Sequence, residues 1–190
     1  MAFTWGAACR PKQGQTVSGD VYVVLEQQNQ ILATVIDGLG GGSEAAHAAL
    51  KAEEVIRQYS DRPLKDIIHM AHTALHHTRG AVIGVMRLEQ ENRQATYIGV
   101  GNIGVQVYSQ WSIKPISKNG ILGFRLPTLL ELTYTYDLND TFILFSDGIS
   151  SRFAQDRQLD LKPSPQQIAN IIMQGYGKAI DDATVVVMRT

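Results

Sequence analysis

The segment from Ile31 to Ser43 constrains the fold more than any other part of the chain. It reads Ile-Leu-Ala-Thr-Val-Ile-Asp-Gly-Leu-Gly-Gly-Gly-Ser, so an apolar, β-branched run ends abruptly at Asp37 and Gly38. The run predicts a buried strand, and the Ala- and Glu-rich residues that follow predict a helix. Because an unpaired buried charge is costly, a carboxylate at the tip of such a strand needs a positive partner. The segment therefore predicts a functional site where this strand ends.

Four more aspartates lie at the ends of apolar runs. Asp147 follows one run, Asp181 and Asp182 precede another, and Asp20 precedes a third. Carboxylates confined together stay ionised only with cations between them, and an all-oxygen ligand set favours Mg²⁺ or Mn²⁺. Two such ions can activate a water and neutralise a phosphoryl group, which predicts hydrolysis of a phosphate ester. The alternative is that these are ordinary turn residues, since Asp-Gly commonly follows strands.

Nine strand-like runs rich in Val, Ile, Tyr and Thr are predicted, and the short turns between several of them favour antiparallel hairpins. They lie near residues 2–9, 21–26, 30–36, 80–88, 94–100, 103–109, 130–136, 141–146 and 183–189. Strands inside and helices outside predict a layered α+β domain with two packed sheets. We expect one domain over residues 1–190.

Three helices are predicted. The first has Ser43 as its N-cap and runs to about Tyr59. Its apolar stripe comprises Ala46, Ala49, Leu50, Val55 and Ile56. The second begins near Pro63, and the third runs from Ser164 to about Gly175.

Composition excludes several classes of function. The chain is 44% hydrophobic and 18% charged, and its net charge of -1 offers no general attraction to nucleic acid or anionic membranes. No apolar run reaches the roughly 18 residues of a membrane span, and the N-terminus does not resemble a signal peptide. The single cysteine, Cys9, cannot form an internal disulfide. We expect a cytoplasmic protein with no nucleic-acid or membrane partner, and we favour a monomer.

Five motifs occur in a fixed order along nearly the whole chain. They are Ser18-Gly19-Asp20, Ile36-Asp37-Gly38-Leu39-Gly40, Gly101-Asn102, Phe145-Ser146-Asp147-Gly148 and Asp181-Asp182-Ala183-Thr184. Each motif is weak alone, but the ordered set resembles the metal-dependent protein phosphatase (PPM) family, and more narrowly its SpoIIE-type branch. The resemblance implies an αββα sandwich, with two mainly antiparallel sheets and a centre of two Mn²⁺ or Mg²⁺ ions in a cleft at one edge.

The resemblance also implies roles for particular residues. Asp37 would bridge the two ions and the Gly38 carbonyl would bind one of them, while Asp147 and Asp181 would complete the shell of the other. These three aspartates would thereby serve catalysis. The implied reaction is direct attack of a metal-bridging hydroxide on phosphoserine or phosphothreonine, without a phosphoenzyme.

The remaining two aspartates are assigned supporting roles by the same resemblance. Asp20 would hold metal-bound waters, and Asp182 occupies a place often taken by asparagine. The choice between Asp181 and Asp182 as direct ligand rests on motif alignment and stays open.

The substrate implied by the resemblance is a signalling protein. The short chain and its Asp-Gly-Leu-Gly signature are similar to the members of the branch that reset stressosomes, which implies phosphorylated STAS-domain proteins as partners. The alternative is a catalytically silent module with the same fold that binds a partner in that pathway.

The chain departs from the family pattern at the places that would hold the substrate phosphate. Gly41 stands where the branch commonly has histidine, and residues 13–15 offer no counterpart to the phosphate-holding arginine of larger relatives. Arg79 is a candidate for that role, although an arginine meeting the C-terminal dipole of a helix is the simpler interpretation. The flap segment, residues 114–128, is short, which favours substrate selection by surfaces outside the cleft.

Two other patterns are given simpler explanations. The glycine run after Asp37 is similar to a dinucleotide-binding turn, but that fold needs a parallel strand soon after the helix. A cluster of four histidines suggests zinc, yet the glutamate of a zinc protease is absent and a polar helix face explains the pattern. The cluster comprises His69, His72, His76 and His77.

Overall fold

The structure is a computed structural model that describes residues 3–190, and in that range the chain forms nine strands and three α-helices. The strands are β1 (Thr4–Arg10), β2 (Asp20–Gln27), β3 (Gln30–Gly38), β4 (Ala81–Glu89), β5 (Gln94–Val100), β6 (Gly104–Tyr108), β7 (Leu132–Thr135), β8 (Thr141–Phe145) and β9 (Ala183–Arg189). The helices are α1 (Ser43–Gln58), α2 (Leu64–Ala74) and α3 (Pro165–Tyr176), with a short 3₁₀ helix at Ser151–Gln155. All nine predicted strands are confirmed, although the predicted start of the first at residue 2 lies outside the described residues.

The strands form two sheets in which every neighbouring pair is antiparallel. One sheet has the order β1-β9-β8-β6, and the other has the order β2-β3-β4-β5-β7. Because β4 runs antiparallel to β3 and two helices separate them, the glycine run does not open a dinucleotide-binding unit. In the described part of the chain, no helix has both the length and the apolar character needed to cross a membrane.

Three apolar clusters hold four layers together. The first packs α1 and α2 on the five-stranded sheet, the second fills the space between the sheets, and the third packs α3 on the four-stranded sheet. Between the sheets, Phe142 meets Tyr136 edge-to-face with ring centroids 5.9 Å apart. A fully buried large apolar side chain contributes about 1.5–3 kcal/mol, so burial in these clusters drives the layers together. The predicted αββα arrangement is confirmed.

Two serines near helix starts differ in their roles. Ser164, predicted as the start of the third helix, is the N-cap of α3 and forms a reciprocal capping box with Gln167. Ser43 is instead the first residue of α1, and Gly42 occupies the N-cap with φ of 71° and no side-chain cap. The chain enters α1 through a left-handed conformation that glycine adopts readily, so serine is displaced from the cap by one residue.

The apolar face of α1 also differs from its prediction. Ala46, Ala49, Val55 and Ile56 are buried, but Leu50 is 54% exposed. The buried face is built mainly of alanines, which let the helix backbone lie close to the sheet. Leu50 lies outside this face, and its predicted place in the stripe is wrong.

Candidate metal centre

Antiparallel pairing brings the ends of distant strands to one edge of the sandwich. Asp20 begins β2 and lies opposite Asp37 at the end of β3. In the other sheet, the end of β8 pairs with the beginning of β9, with Phe145 opposite Val185. Asp147 follows β8, and the pair at 181–182 precedes β9. The predicted acidic positions are therefore gathered from both sheets.

Gly38 is required where β3 turns toward α1. A Cβ at this position would lie 2.0 Å from the carbonyl oxygen of Ala45, so only glycine permits this approach of strand and helix. The backbone N–H of Gly38 donates to the carbonyl of Gly19 at 3.0 Å. These contacts hold the half-buried Asp37 at the edge of the cleft.

Asp20 is buried, with 3% of its surface exposed, and lies at the centre of a hydrogen-bond chain between the sheets. Its Oδ2 accepts from the Ser146 hydroxyl at 2.6 Å, and the Ser146 Oγ accepts from the Thr184 N–H at 2.9 Å. Burial raises the pKa of Asp20 to about 6, and hydrogen bonds from Ser146 and Thr184 oppose that shift. Asp20 thus joins β2 to the adjacent ends of β8 and β9.

Asp147 and Asp181 keep oxygens free for a ligand. Asp147 is exposed, and its Oδ2 accepts from the Asn102 side-chain amide at 2.9 Å. Its backbone carbonyl accepts from the Lys178 ammonium group. Asp181 is half-buried, and its Oδ1 accepts only from the N–H of Asp182 at 3.1 Å. Both side chains therefore suit coordination of a cation.

Asp182 is committed to the fold. Its Oδ1 accepts from the backbone N–H of Lys12 at 2.8 Å, and its Oδ2 accepts from that of Gly19 at 2.9 Å. Both oxygens thereby fasten the segment before β2 to the start of β9. Asp182 therefore has both oxygens engaged by the backbone, whereas Asp181 does not, and the choice of direct ligand stays a prediction.

The five carboxylates act on one another electrostatically. Burial raises the pKa of Asp37 to about 8, with further contributions from the charges of Asp20, Asp147, Asp181 and Asp182. Without a cation Asp37 would be largely protonated at neutral pH, so the cluster calls for positive charge. Within residues 3–190 no group of three or more His, Cys, Asp or Glu side chains is arranged, as positioned here, to hold a metal ion. The all-oxygen donors nevertheless fit a hard divalent cation such as Mg²⁺ or Mn²⁺ in both chemistry and charge.

Several contacts that shape this site are not predicted by the sequence. Asn102 and Gly148 belong to the five motifs, but the hydrogen bond from Asn102 to Asp147 emerges only in the structure. Gly148 is needed because a Cβ there would lie 1.8 Å from the carbonyl oxygen of Asp182. Lys178 lies in a loop with no recognisable pattern. Such contacts depend on segments far apart in the chain, and local patterns do not predict them.

The arginine and histidine interpretations have different outcomes. Helix α2 ends at Ala74, so Arg79 lies beyond the reach of its dipole and that interpretation is wrong.

His72 Nδ1 accepts from the N–H of Gly123 at 3.0 Å, which ties α2 to the flap segment. The Nε2 atoms of His72 and His76 lie 3.4 Å apart. His72 thus has a role in positioning the flap that the polar-face interpretation did not include.

Residues 27–190 match the family described as Stage II sporulation protein E (SpoIIE). The chain belongs to the SpoIIE family. It is 27% identical over 179 residues to the phosphoserine phosphatase RsbX of Bacillus subtilis (strain 168), covering 92% of this chain and 88% of RsbX. These findings confirm the predicted resemblance to the SpoIIE-type branch and its RsbX-like members.

Solved structures show the same fold. A chain from a structure of the bacterial stressosome, described as a modular system adapted to control secondary messenger signalling, superimposes with a TM-score of 0.94 at 31% identity and covers 100% of both chains. RsbX in complex with magnesium superimposes with a TM-score of 0.88 at 24% identity, covering 99% of this chain and 95% of RsbX. The predicted PPM-type fold of this SpoIIE-family chain is thereby confirmed.

Proposed function

We propose that this SpoIIE-family protein is a metal-dependent serine/threonine protein phosphatase whose single domain spans residues 1–190. The observation that carries the proposal is the position of Asp37, where burial and then the charges of four other carboxylates raise its pKa to about 8. A protein keeps such a cluster where a cation offsets the repulsion. Similarity to the phosphoserine phosphatase RsbX supports the choice of reaction.

The residues of the candidate metal centre have two proposed roles: some bind the metal ions and others keep the surrounding segments in position. Asp37, Asp147, Asp181 and the Gly38 carbonyl would bind two Mn²⁺ or Mg²⁺ ions. When bound, the ions supply a water activated for attack on phosphorus and neutralise charge on the phosphoryl group. Asp147 is held in orientation by the Asn102 amide, and Asp37 by the short approach of β3 to α1.

Asp20 and Asp182 support the site. Asp20 is fixed by Ser146, and it would hold waters that the ions bind. Asp182 anchors the segment before β2 through two backbone N–H groups. Their burial keeps them in place while the more exposed Asp147 and Asp181 meet the ligand.

The proposed substrates are phosphorylated STAS-domain proteins of a stressosome, and the proposed compartment is the cytoplasm. Likeness to a chain from a stressosome structure, at 31% identity over the full chain, supports this partner. The single cysteine is consistent with a reducing compartment.

Nitrophenyl phosphate and a phosphorylated STAS-domain protein test the proposal together. We expect hydrolysis of both with Mn²⁺, loss of activity in excess EDTA and recovery when Mn²⁺ is restored. Mass spectrometry of the protein substrate before and after incubation identifies the dephosphorylated residue. Full activity in EDTA contradicts the metal role, and an inert chain that still binds the STAS-domain protein supports the silent module instead.

A further inference from the structure

The loop between β3 and α1 carries two cationic groups against its backbone. A Cβ added at Gly40 would lie 2.7 Å from Arg79 Nη1, and a Cβ added at Gly41 would lie 2.5 Å from Lys12 Nζ. The missing side chains of these glycines thus make room for a guanidinium and an ammonium group. Gly40 and Gly41 follow Asp37 by only a few residues. Both cationic groups therefore lie beside the loop that leads away from the carboxylate cluster.

Neither cation has a protein partner among residues 3–190. The ion pairs in that range involve Arg57, Lys65 and Arg93. Lys178, by contrast, donates to the backbone carbonyl of Asp147. The Lys12 bond to Asp182 uses the backbone N–H, which leaves the ammonium group free. The two side chains are therefore available to an anion.

The two cations lie outside the carboxylate cluster. Among residues 3–190 no ion pair joins Lys12 or Arg79 to any of the five aspartates. Positive groups placed beside the carboxylate cluster suit an anionic ligand that binds next to metal ions held by the carboxylates. A phosphate ester has that property, because its oxygens accept hydrogen bonds from Arg and Lys while others face the ions.

The geometry points to Lys12 and Arg79 as the residues that hold the substrate phosphate at the mouth of the metal centre. Arg79 offers a planar fork that two phosphate oxygens can share, and Lys12 offers a compact charge on a flexible stem. Gly41 makes room for Lys12, since a Cβ at this position would lie 2.5 Å from the Lys12 Nζ. The inference rests on the proposed phosphatase function.

Calorimetric titration of the 190-residue chain with inorganic phosphate in the presence of Mg²⁺ provides the test. We expect Arg79→Gln and Lys12→Gln each to weaken phosphate binding about tenfold, as loss of one charge-assisted hydrogen bond does. Arg93→Gln is the matched control, because it removes the same charge at the β4–β5 turn, the opposite end of the sheet from Asp37. It should bind phosphate as the wild type does.

A second set of variants separates position from charge. Gly41→Ala keeps both cations but pushes the Lys12 ammonium aside, and it should weaken phosphate binding about threefold, within the range of a displaced polar contact. Arg79→Lys retains the charge without the fork, so its affinity should lie between those of the wild type and Arg79→Gln. The stabilisation that Mg²⁺ gives on melting should be unchanged in all of these variants, since none alters a carboxylate.

Failure of this inference can be told apart from failure of the proposed function. Wild type that does not bind phosphate, or variants that bind it as tightly as Arg93→Gln, overturn the assignment of Lys12 and Arg79. If variants with unchanged phosphate affinity also hydrolyse nitrophenyl phosphate normally, the proposed phosphatase function stands and only the assignment of Lys12 and Arg79 is wrong. If the chain hydrolyses nothing while phosphate affinity falls in these variants alone, the function is wrong and the phosphate site stands.

Discussion

Asp20 lies directly opposite Asp37 at the open end of the β2–β3 hairpin, so two carboxylates occupy one cross-strand pair. Like charges opposite each other destabilise a sheet, and here burial raises the pKa of both side chains as well. A sheet edge selected for stability alone would not contain this pair. The pair therefore indicates that a bound cation is part of the working structure.

Removal of the Asp37 charge should abolish stabilisation by metal. For the wild type we expect Mg²⁺ or Mn²⁺ at a hundred times its Kd to add about 2.7 kcal/mol to the free energy of unfolding. Asp37→Asn should show little of this gain, and without metal it should be at least as stable as the wild type because asparagine needs no proton uptake to be buried there. Differential scanning calorimetry with and without metal measures both effects. Equal metal-induced shifts in the two proteins would exclude Asp37 as a ligand.

Neighbouring aspartates should give opposite results when each is replaced. Asp182→Ala leaves the buried N–H of Gly19 unpaired and removes the bond to the Lys12 N–H, so we expect a loss of about 3 kcal/mol in folding stability. Asp181→Ala should cost less than about 1 kcal/mol and instead weaken metal binding. Urea unfolding of both metal-free variants, with metal titrations alongside, compares them. A reversal of the two outcomes would make Asp182 the ligand.

The Ser146 hydroxyl should be worth more than an ordinary serine hydroxyl. Ser146→Ala removes the donor to Asp20 and the acceptor for the Thr184 N–H, both buried, which should destabilise the protein by about 2 kcal/mol. Ser112 is exposed, and Ser112→Ala should change stability by less than about 0.5 kcal/mol. Chemical denaturation of the two variants gives the comparison. Equal, small effects would show that the Asp20–Ser146 chain contributes nothing to stability.

Two glycines should respond in opposite directions to the same substitution. A Cβ at Gly148 would lie 1.8 Å from the Asp182 carbonyl oxygen, so Gly148→Ala should destabilise by about 2 kcal/mol or more as the backbone shifts. Gly175 lies within α3, with no atom within 4 Å of an added Cβ, and Gly175→Ala should stabilise by up to about 1 kcal/mol. Thermal melting distinguishes them. A neutral Gly148→Ala variant would mean that the approach of β9 to this turn is looser than described.

Asp147 should matter for activity and not for folding. Its side chain is exposed and bonds only to Asn102, so Asp147→Ala should leave the melting temperature of the metal-free protein nearly unchanged. Activity should fall at least about a hundredfold, since a metal ligand supports several kcal/mol of charge stabilisation. Asp160→Ala is the control, because Asp160 is also exposed and accepts one hydrogen bond, from the Lys162 N–H. Collapse of the fold in Asp147→Ala, or activity equal to that of Asp160→Ala, would contradict the assignment.

The amino-acid sequence by itself determined the strands and the carboxylates at their ends. Strand character depends on neighbouring residues, and the β-branched run before Asp37 predicts β3 nearly to its last residue. The same holds for the helix predicted from Ser164 to about Gly175, which the structure places at Pro165–Tyr176. Family membership follows from the order of such local motifs.

Only the tertiary structure decided which of these residues are free to bind and which are already committed. Asp181 and Asp182 are alike in the sequence, but the N–H groups that occupy Asp182 come from residues more than 160 positions away. Leu50 is exposed because the alanine face of α1 lies against the sheet, and the Arg79 guanidinium lies beside Gly40, in the loop after β3. Each of these outcomes depends on contacts between distant segments, which form only when the layers pack, so no local pattern carries them.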